Sequence, residues 1–373
     1  IFVQFSTAQE ASTSTTSKIW SLEDCIVYAL ENNIAIKDVT LSKNIAEIDY
    51  SKAKASRLPN LFGGASQNFT NGNAIDPITS DFVTDQIHST NAAISSSVTL
   101  FQGNQLSNQV KQNKLLLDQS VFLGEVEKNN IVLSLLEVYL QALYSKESIT
   151  IAQNNLTASE KEVLRAKALL DAGTIALKDY TEAQSQGATN KYNVITSKNN
   201  YEQNIITLKQ LLELSPLEEL EIETISDNMD LINLRLDKND VYKKALVVLP
   251  EIQAGIINIA ASEKELAIVK GSYLPIISLT GSFGTGYTSI DNNTFSNQFD
   301  VNFNQKIGLS LVVPIFNRYQ TKAAVQTATI NIAKAEIQKQ IVEKEVYKKV
   351  ETAYQNALSA QEQVIAAETS KDA

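Results

Sequence analysis

The chain has 373 residues with one His, one Cys, one Met and one Trp, and 32 basic against 42 acidic residues leave a net charge of −10. A lone Cys excludes a disulfide framework and a Cys-rich metal site, and a lone His leaves little for acid–base or metal-binding chemistry. The acidic balance gives no footprint for nucleic acid; without a run of about 18 apolar residues no transmembrane helix is expected, which says nothing against a membrane β-barrel.

Residues 1–18 read as the remnant of a signal peptide and a flexible leader. Ser6-Thr7-Ala8 puts small residues at the −3 and −1 positions of a cleavage site, and residues 11–17 are Ser/Thr-rich. A first helix is expected over 19–58. Ser21 with Asp24 three residues on makes a capping box, and the helix must stop before Pro59, because the residue preceding a proline is pushed to extended geometry. Cys25 lies inside this helix and reads as a small buried residue. Strands are expected over 59–70 and 91–101, joined by a polar loop from Asn71 to Thr90 that carries His88 as a solvated side chain without a role.

A helical hairpin follows over 104–214. From Ile131 a spacing of four then three runs through Leu135, Val138, Ala142, Ser145, Ile149 and Ala152 to Leu170, an unbroken seven-residue seam rich in Ala and Ser. A helix from about Asn104 to Asp171 is on the order of 100 Å long, more than any globular core needs. The tip is expected near Gly173, with Gly suited to a left-handed cap and Thr174 to starting the return helix, which ends before Pro216. Residues 215–240, rich in Glu, read as a solvated connector.

The second half repeats the first. Ala29-Leu30 recurs as Ala245-Leu246, Ile36 as Ile252 and Leu58-Pro59 as Leu274-Pro275, all 216 apart; Leu100-Phe101 pairs with Ile315-Phe316 and Tyr139 with Tyr354, 215 apart. A helix is therefore expected over 241–274, strands over 275–287 and 304–314 around a polar loop at 289–302, and a long helix over 318–372. The same offset places a second hairpin tip near position 388, beyond Ala373, so the second repeat of 241–373 reads as truncated before its tip.

The strands alternate with a period of two. Ile94, Val98 and Leu100 form one row, Ile277, Leu279 and Phe283 a second, and Ile307, Leu309 and Leu311 a third, against small or polar neighbours such as Ser278, Thr280, Gly308 and Ser310. A soluble sandwich would alternate similarly. Strand lengths of roughly 9–11 residues and the small polar face favour a membrane barrel, with these nine apolar residues facing lipid.

Helix, strand pair and long helical hairpin, all duplicated, resemble the TolC-like outer membrane efflux protein family over about residues 19–373. Trp20-Ser21-Leu22-Glu23-Asp24-Cys25 is similar to its opening helix, Leu58-Pro59 and Leu274-Pro275 to its helix-to-strand junctions, Leu100-Phe101-Gln102-Gly103 and Pro314-Ile315-Phe316-Asn317 to its strand-to-helix junctions, and Ala172-Gly173-Thr174 with Asp179 to its hairpin tip. The order and duplication of these words carry the resemblance. It implies a mainly α fold with β: a homotrimer in which a membrane β-barrel in the outer membrane continues into a periplasmic α-helical barrel. It further implies that the tip meets a periplasmic adaptor (membrane fusion) protein tied to an inner-membrane pump, with the contact centred on Lys167, Asp171, Gly173, Thr174 and Ile175. The second tip lies past Ala373, so no gate residue is named.

No catalytic, cofactor-binding or metal site is expected. Gly281-Ser282-Phe283-Gly284-Thr285-Gly286 lacks the lysine of a phosphate loop and the spacing of a dinucleotide site, and no HExxH, nucleophile elbow or Cys/His pair exists. The sequence is thus read as a passive outer-membrane export duct of a tripartite efflux or type I secretion system. The alternatives are a periplasmic coiled-coil adaptor or a structural coiled-coil protein.

Overall fold

The structure, a computed structural model, describes residues 19–75, 78, 80–224 and 237–372. The expected leader 1–18 and residues 225–236 of the connector lie outside the described residues. Among the described residues two compact units are formed, one within 19–40 and 124–224, the other within 41–123 and 237–372. The elements in chain order are β1 (Ile19–Trp20), α1 (Leu22–Asn32), α2 (Ile34–Ala55), β2 (Phe62–Ile75), β3 (Phe82–Gln102), α3 (Gln105–Asp171), α4 (Leu177–Leu211), β4 (Glu221–Ile222), α5 (Lys238–Val248), α6 (Pro250–Gly271), β5 (Ile276–Thr288), α7 (Phe295–Val301), β6 (Asn304–Val312) and α8 (Gln320–Asp372). Among the described residues no single helix is long and apolar enough to cross a membrane; α5 and α6 together meet that test by length and composition, but they bend by 47°.

Both opening helices are broken where one was expected. Asn33, extended at φ −60° and ψ 135°, ends α1, and its side chain joins the two helices: Oδ1 accepts from the Ala35 amide at 2.8 Å and Nδ2 donates to the Leu211 carbonyl at 2.9 Å. Leu249 plays the corresponding part between α5 and α6. It is held at φ −67° and ψ 131°, the extended geometry that Pro250 imposes on the residue before it.

In the first unit the seam of α3 packs on α4 and α1. Trp20, Cys25, Ala29, Leu135, Tyr139, Ala142, Leu208, Leu212 and Ile222 form one buried cluster. The Ser21 capping box is present, with the Ser21 Oγ accepting from the Asp24 amide at 3.1 Å. The connector is not wholly solvated: β4 pairs in parallel with β1, and of its two residues Ile222 is 1% exposed while Glu221 points out. The Tyr139 hydroxyl lies 3.1 Å from the Trp20 carbonyl and 3.2 Å from the Glu223 carbonyl and donates to this pair, stapling the two short strands to the long helix. Polar side chains also lock the helices: the Asn204 Nδ2 donates to the Ser145 Oγ at 2.8 Å, and that hydroxyl donates to the Gln141 carbonyl.

In the second unit β2, β3, β5 and β6 form one antiparallel sheet in that order. The hairpin β2–β3 is far longer than expected. Phe62 to Ile75 pair without interruption with Ser95 to Phe82, so most of the segment read as a polar loop over 71–90 is strand. Main-chain pairing is made by backbone amides and carbonyls and needs no apolar alternation. His88 accordingly sits on β3, its ring edge-on to Phe69 at 4.9 Å. The second expected loop, 289–302, contains α7, capped by the Thr294 hydroxyl. In the same unit α6 and α8 pack on each other through small residues, with Ala254, Ala261, Ala328 and Ala335 buried. Gly103, in the left-handed region at φ 56°, runs main chain against main chain with Gly271; a Cβ on either would overlap the other's backbone.

Burial pushes the Tyr139 phenol up to about 12, with the charges of Cys25 and Glu223 adding to the shift. The folded state thus favours the neutral phenol. Its contribution to stability is complete below the ordinary tyrosine range near 10 and is lost as pH rises from there through about 12. Tyr139→Phe should cost about 0.5–1.5 kcal/mol by removing the hydroxyl's hydrogen bonds to the strand pair, the Trp20 carbonyl keeping the Glu223 amide, and should flatten the fall in thermal midpoint between those pH values when helix content is followed by circular dichroism.

Candidate functional site

Two features expected to carry function are built in different ways. The first is the hairpin tip. α3 closes with the Gly173 amide donating to the Leu170 carbonyl and the Thr174 amide to the Leu169 carbonyl, both at 2.9 Å, around Gly173 at φ 70°. This is a Schellman closure, and only glycine takes that conformation without strain. Thr174 does not start the return helix as expected: its hydroxyl donates back to the Leu169 carbonyl at 2.9 Å. The return helix starts at Leu177, and the Asp179 carboxylate accepts from the Ala176 amide at 3.3 Å. Lys167, Asp171, Gly173 and Thr174 are exposed and Ile175 is half-buried. Leu164 and Leu177, at 69% and 64% exposed, add an apolar component that the sequence reading passed over.

The second feature is the sheet. Its register sets Ile94 opposite Phe283, Val98 opposite Leu279 and Leu279 opposite Leu309, while Ile307 faces Gly281 and Leu311 faces Ile277. Side chains alternate across a strand, so the three expected rows share one face. One position departs. A bulge between Thr99 and Phe101 leaves Leu100 without a register partner, and Phe101 takes the place opposite Ile277. The opposite face carries Ser95, Ser97 and Thr99 on β3, Ser278, Thr280 and Ser282 on β5, and Lys306, Gly308 and Ser310 on β6.

Where β5 passes to β6, α7 is docked by amide side chains. Gln298, 1% exposed, accepts from the Thr288 amide at 2.8 Å and donates to the Thr288 carbonyl at 3.0 Å, replacing a missing strand neighbour. The Asn302 Nδ2 donates to the Gly286 carbonyl at 2.9 Å. Around it lie aromatic rings: Tyr287 against Phe295 at 5.2 Å, Phe295 stacked on Phe299 at 4.5 Å, and Phe283 stacked on Phe303 at 6.2 Å. The signal was present in the sequence as aromatic residues four apart, at 283 and 287 and again at 295, 299 and 303. Among the described residues, no group of three or more His, Cys, Asp or Glu could hold a metal ion.

With this geometry in view, the profile of the family described as "Outer membrane efflux protein" matches residues 25–213 and 241–373. The chain belongs to that family. Its place is the cell outer membrane, and the adaptor and structural coiled-coil readings are set aside. The family is one of efflux proteins, not enzymes. The chain is 27% identical over 214 residues to the pyoverdine export outer membrane protein OpmQ of Pseudomonas putida, covering 57% of this chain and 43% of that one. It is 23% identical to the outer membrane protein TolC of Salmonella enteritidis over 96% of this chain and 73% of that one. The solved structure of CusC superposes with a TM-score of 0.76 at 19% identity, covering 98% of this chain and 84% of that one, and shares the fold.

Gln298→Ala should cost about 1–3 kcal/mol by removing the two hydrogen bonds that this buried side chain makes to the Thr288 main chain. Limited proteolysis should then cut within residues 289–303 at a protease concentration that leaves the unaltered protein intact.

Proposed function

We propose that three copies of this outer-membrane efflux protein close one β-barrel through their sheets and one helical barrel through their hairpins, forming a passive export duct. The observation that carries the reading is the four-stranded sheet with one apolar face, one hydroxyl-rich face and two unpaired edges, β2 and β6. In hydrocarbon an unpaired strand edge costs several kcal/mol per group, and closure through neighbouring copies removes it. The apolar face then meets lipid and the hydroxyl-rich face lines water, with the aromatic cluster around α7 at the level where interfacial belts sit. The tip residues Lys167, Asp171, Gly173, Thr174 and Ile175 meet a periplasmic adaptor that ties the duct to an inner-membrane pump, and the choice of exported compound rests largely with that pump.

The decisive experiment is fractionation and reconstitution. The protein should be recovered from outer-membrane fractions only with detergent, run as a heat-modifiable trimer, and give discrete conductance steps in a planar bilayer; recovery as a detergent-free periplasmic monomer would overturn the reading. Leu309→Lys should lower the yield of folded trimer, because a lysine facing lipid near the bilayer centre costs about 2–4 kcal/mol, while Ser310→Lys on the opposite face should leave it unchanged. Gly173→Trp should weaken crosslinking to the adaptor while trimers persist, and undiminished crosslinking would remove the tip from the contact.

A further inference from the structure

The four strands of the antiparallel sheet hold two formally charged residues, Asp85 and Lys306, and they are far apart in the ladder. Lys306 pairs in register with Ser282, which pairs with Ser95; Asp85 pairs with Gly72, ten residues further along β3. At about 3.4 Å per residue that is a separation of roughly 34 Å. Lys306 lies six residues before the end of β6 at Val312, so about 20 Å up the strand from the helix side, well inside a hydrocarbon core of about 30 Å. It is exposed, on the hydroxyl-rich face, in a shallow groove with Ser95, Ser97, Thr280 and Ser282, and among the described residues it makes no ion pair. The carboxylates nearest in the chain, Asp291 and Asp300, belong to the turn after β5 and to α7.

An ionisable side chain at that depth is expensive unless water reaches it, and a strand has only two faces. Ile307 and Gln305 take the other one, so Lys306 shares its side with the hydroxyls. We infer that Lys306 is a selectivity-determining residue, a fixed positive charge on the water-lined inner wall of the duct that favours anionic permeants such as carboxylates and phosphate-bearing solutes. The inference rests on the barrel reading above. Threefold repetition would set three such charges around one level of the wall, where the ladder otherwise offers the neutral side chains of Ser282, Ser95 and Phe62, and the acidic character of the chain as a whole is not carried by the described wall at that level.

The test reads the local potential. Ser282→Cys places a thiol across the strand pair from Lys306, and the native Cys25 is fully buried and serves as a silent background. Reaction rates of this thiol in the assembled trimer are measured with an anionic (sulfonatoethyl) and a cationic (trimethylammonioethyl) methanethiosulfonate, with and without Lys306→Gln. One unit charge about 5.5 Å away in water changes each rate by about threefold in opposite directions, so the anion-to-cation ratio should fall by about tenfold on Lys306→Gln, and by less as salt is raised. Reversal potentials in a salt gradient should shift towards cation preference in the same variant, and further in Lys306→Glu. A reactive thiol whose ratio ignores Lys306→Gln would overturn this inference and leave the duct standing. A thiol that reacts with neither reagent, while Ile307→Cys reacts with a lipid-soluble maleimide, would mean that the hydroxyl-rich face is dry and would overturn the face assignment together with the inference.

Discussion

A main-chain amide or carbonyl that meets hydrocarbon must be paired, and the architecture of this chain follows from that rule. A lone four-stranded sheet leaves β2 and β6 with open rows of donors and acceptors. One chain cannot close a barrel with four strands, whereas a helix satisfies its own backbone and needs no partner for that purpose. Each repeat carries both kinds of element: strands whose outer edges leave hydrogen-bonding groups open, and helices whose backbones pair within themselves. Where a local partner is missing inside the sheet, a side chain is recruited, as Gln298 is for Thr288.

Much of the fold was legible in the sequence because it is written twice. The offset between Leu58-Pro59 and Leu274-Pro275 placed both helix-to-strand junctions, and the seam through Leu135, Ala142 and Ser145 named residues that are buried. The Ser21–Asp24 box and the Gly173 cap were readable because each depends on a short stretch of chain. What could not be read depends on partners remote in sequence. Residues 71–75 and 82–90 are strand because they pair with each other, and their amide side chains carry no trace of it. Asn33 breaks a helix because the Leu211 carbonyl is there to receive its amide. At the tip, the reading placed the turn at Gly173 and gave Thr174 the wrong job, since a threonine hydroxyl can serve the helix behind it or the one ahead.

The duplication also shows how equal sequence positions acquire different surroundings. Tyr139 and Tyr354 correspond in the repeat, yet the first is buried with its hydroxyl shared between two strand carbonyls, while the second lies half-exposed in an apolar groove with Val241, Val350 and Ala357. The repeat thus conserves the side chain that can anchor a strand pair, and the anchor forms in the first unit, where β1 and β4 supply the carbonyls.

The meeting of Gly103 and Gly271 has a genetic consequence. Most tight contacts can be relieved from either side, because a larger residue at one position is tolerated once its neighbour is made smaller. Here both partners have already lost everything that can be removed, and the atoms in contact are main chain. A substitution at either glycine has no compensating change at the other, so suppressors of such a mutant must lie elsewhere, in the residues that set the spacing of the backbones themselves.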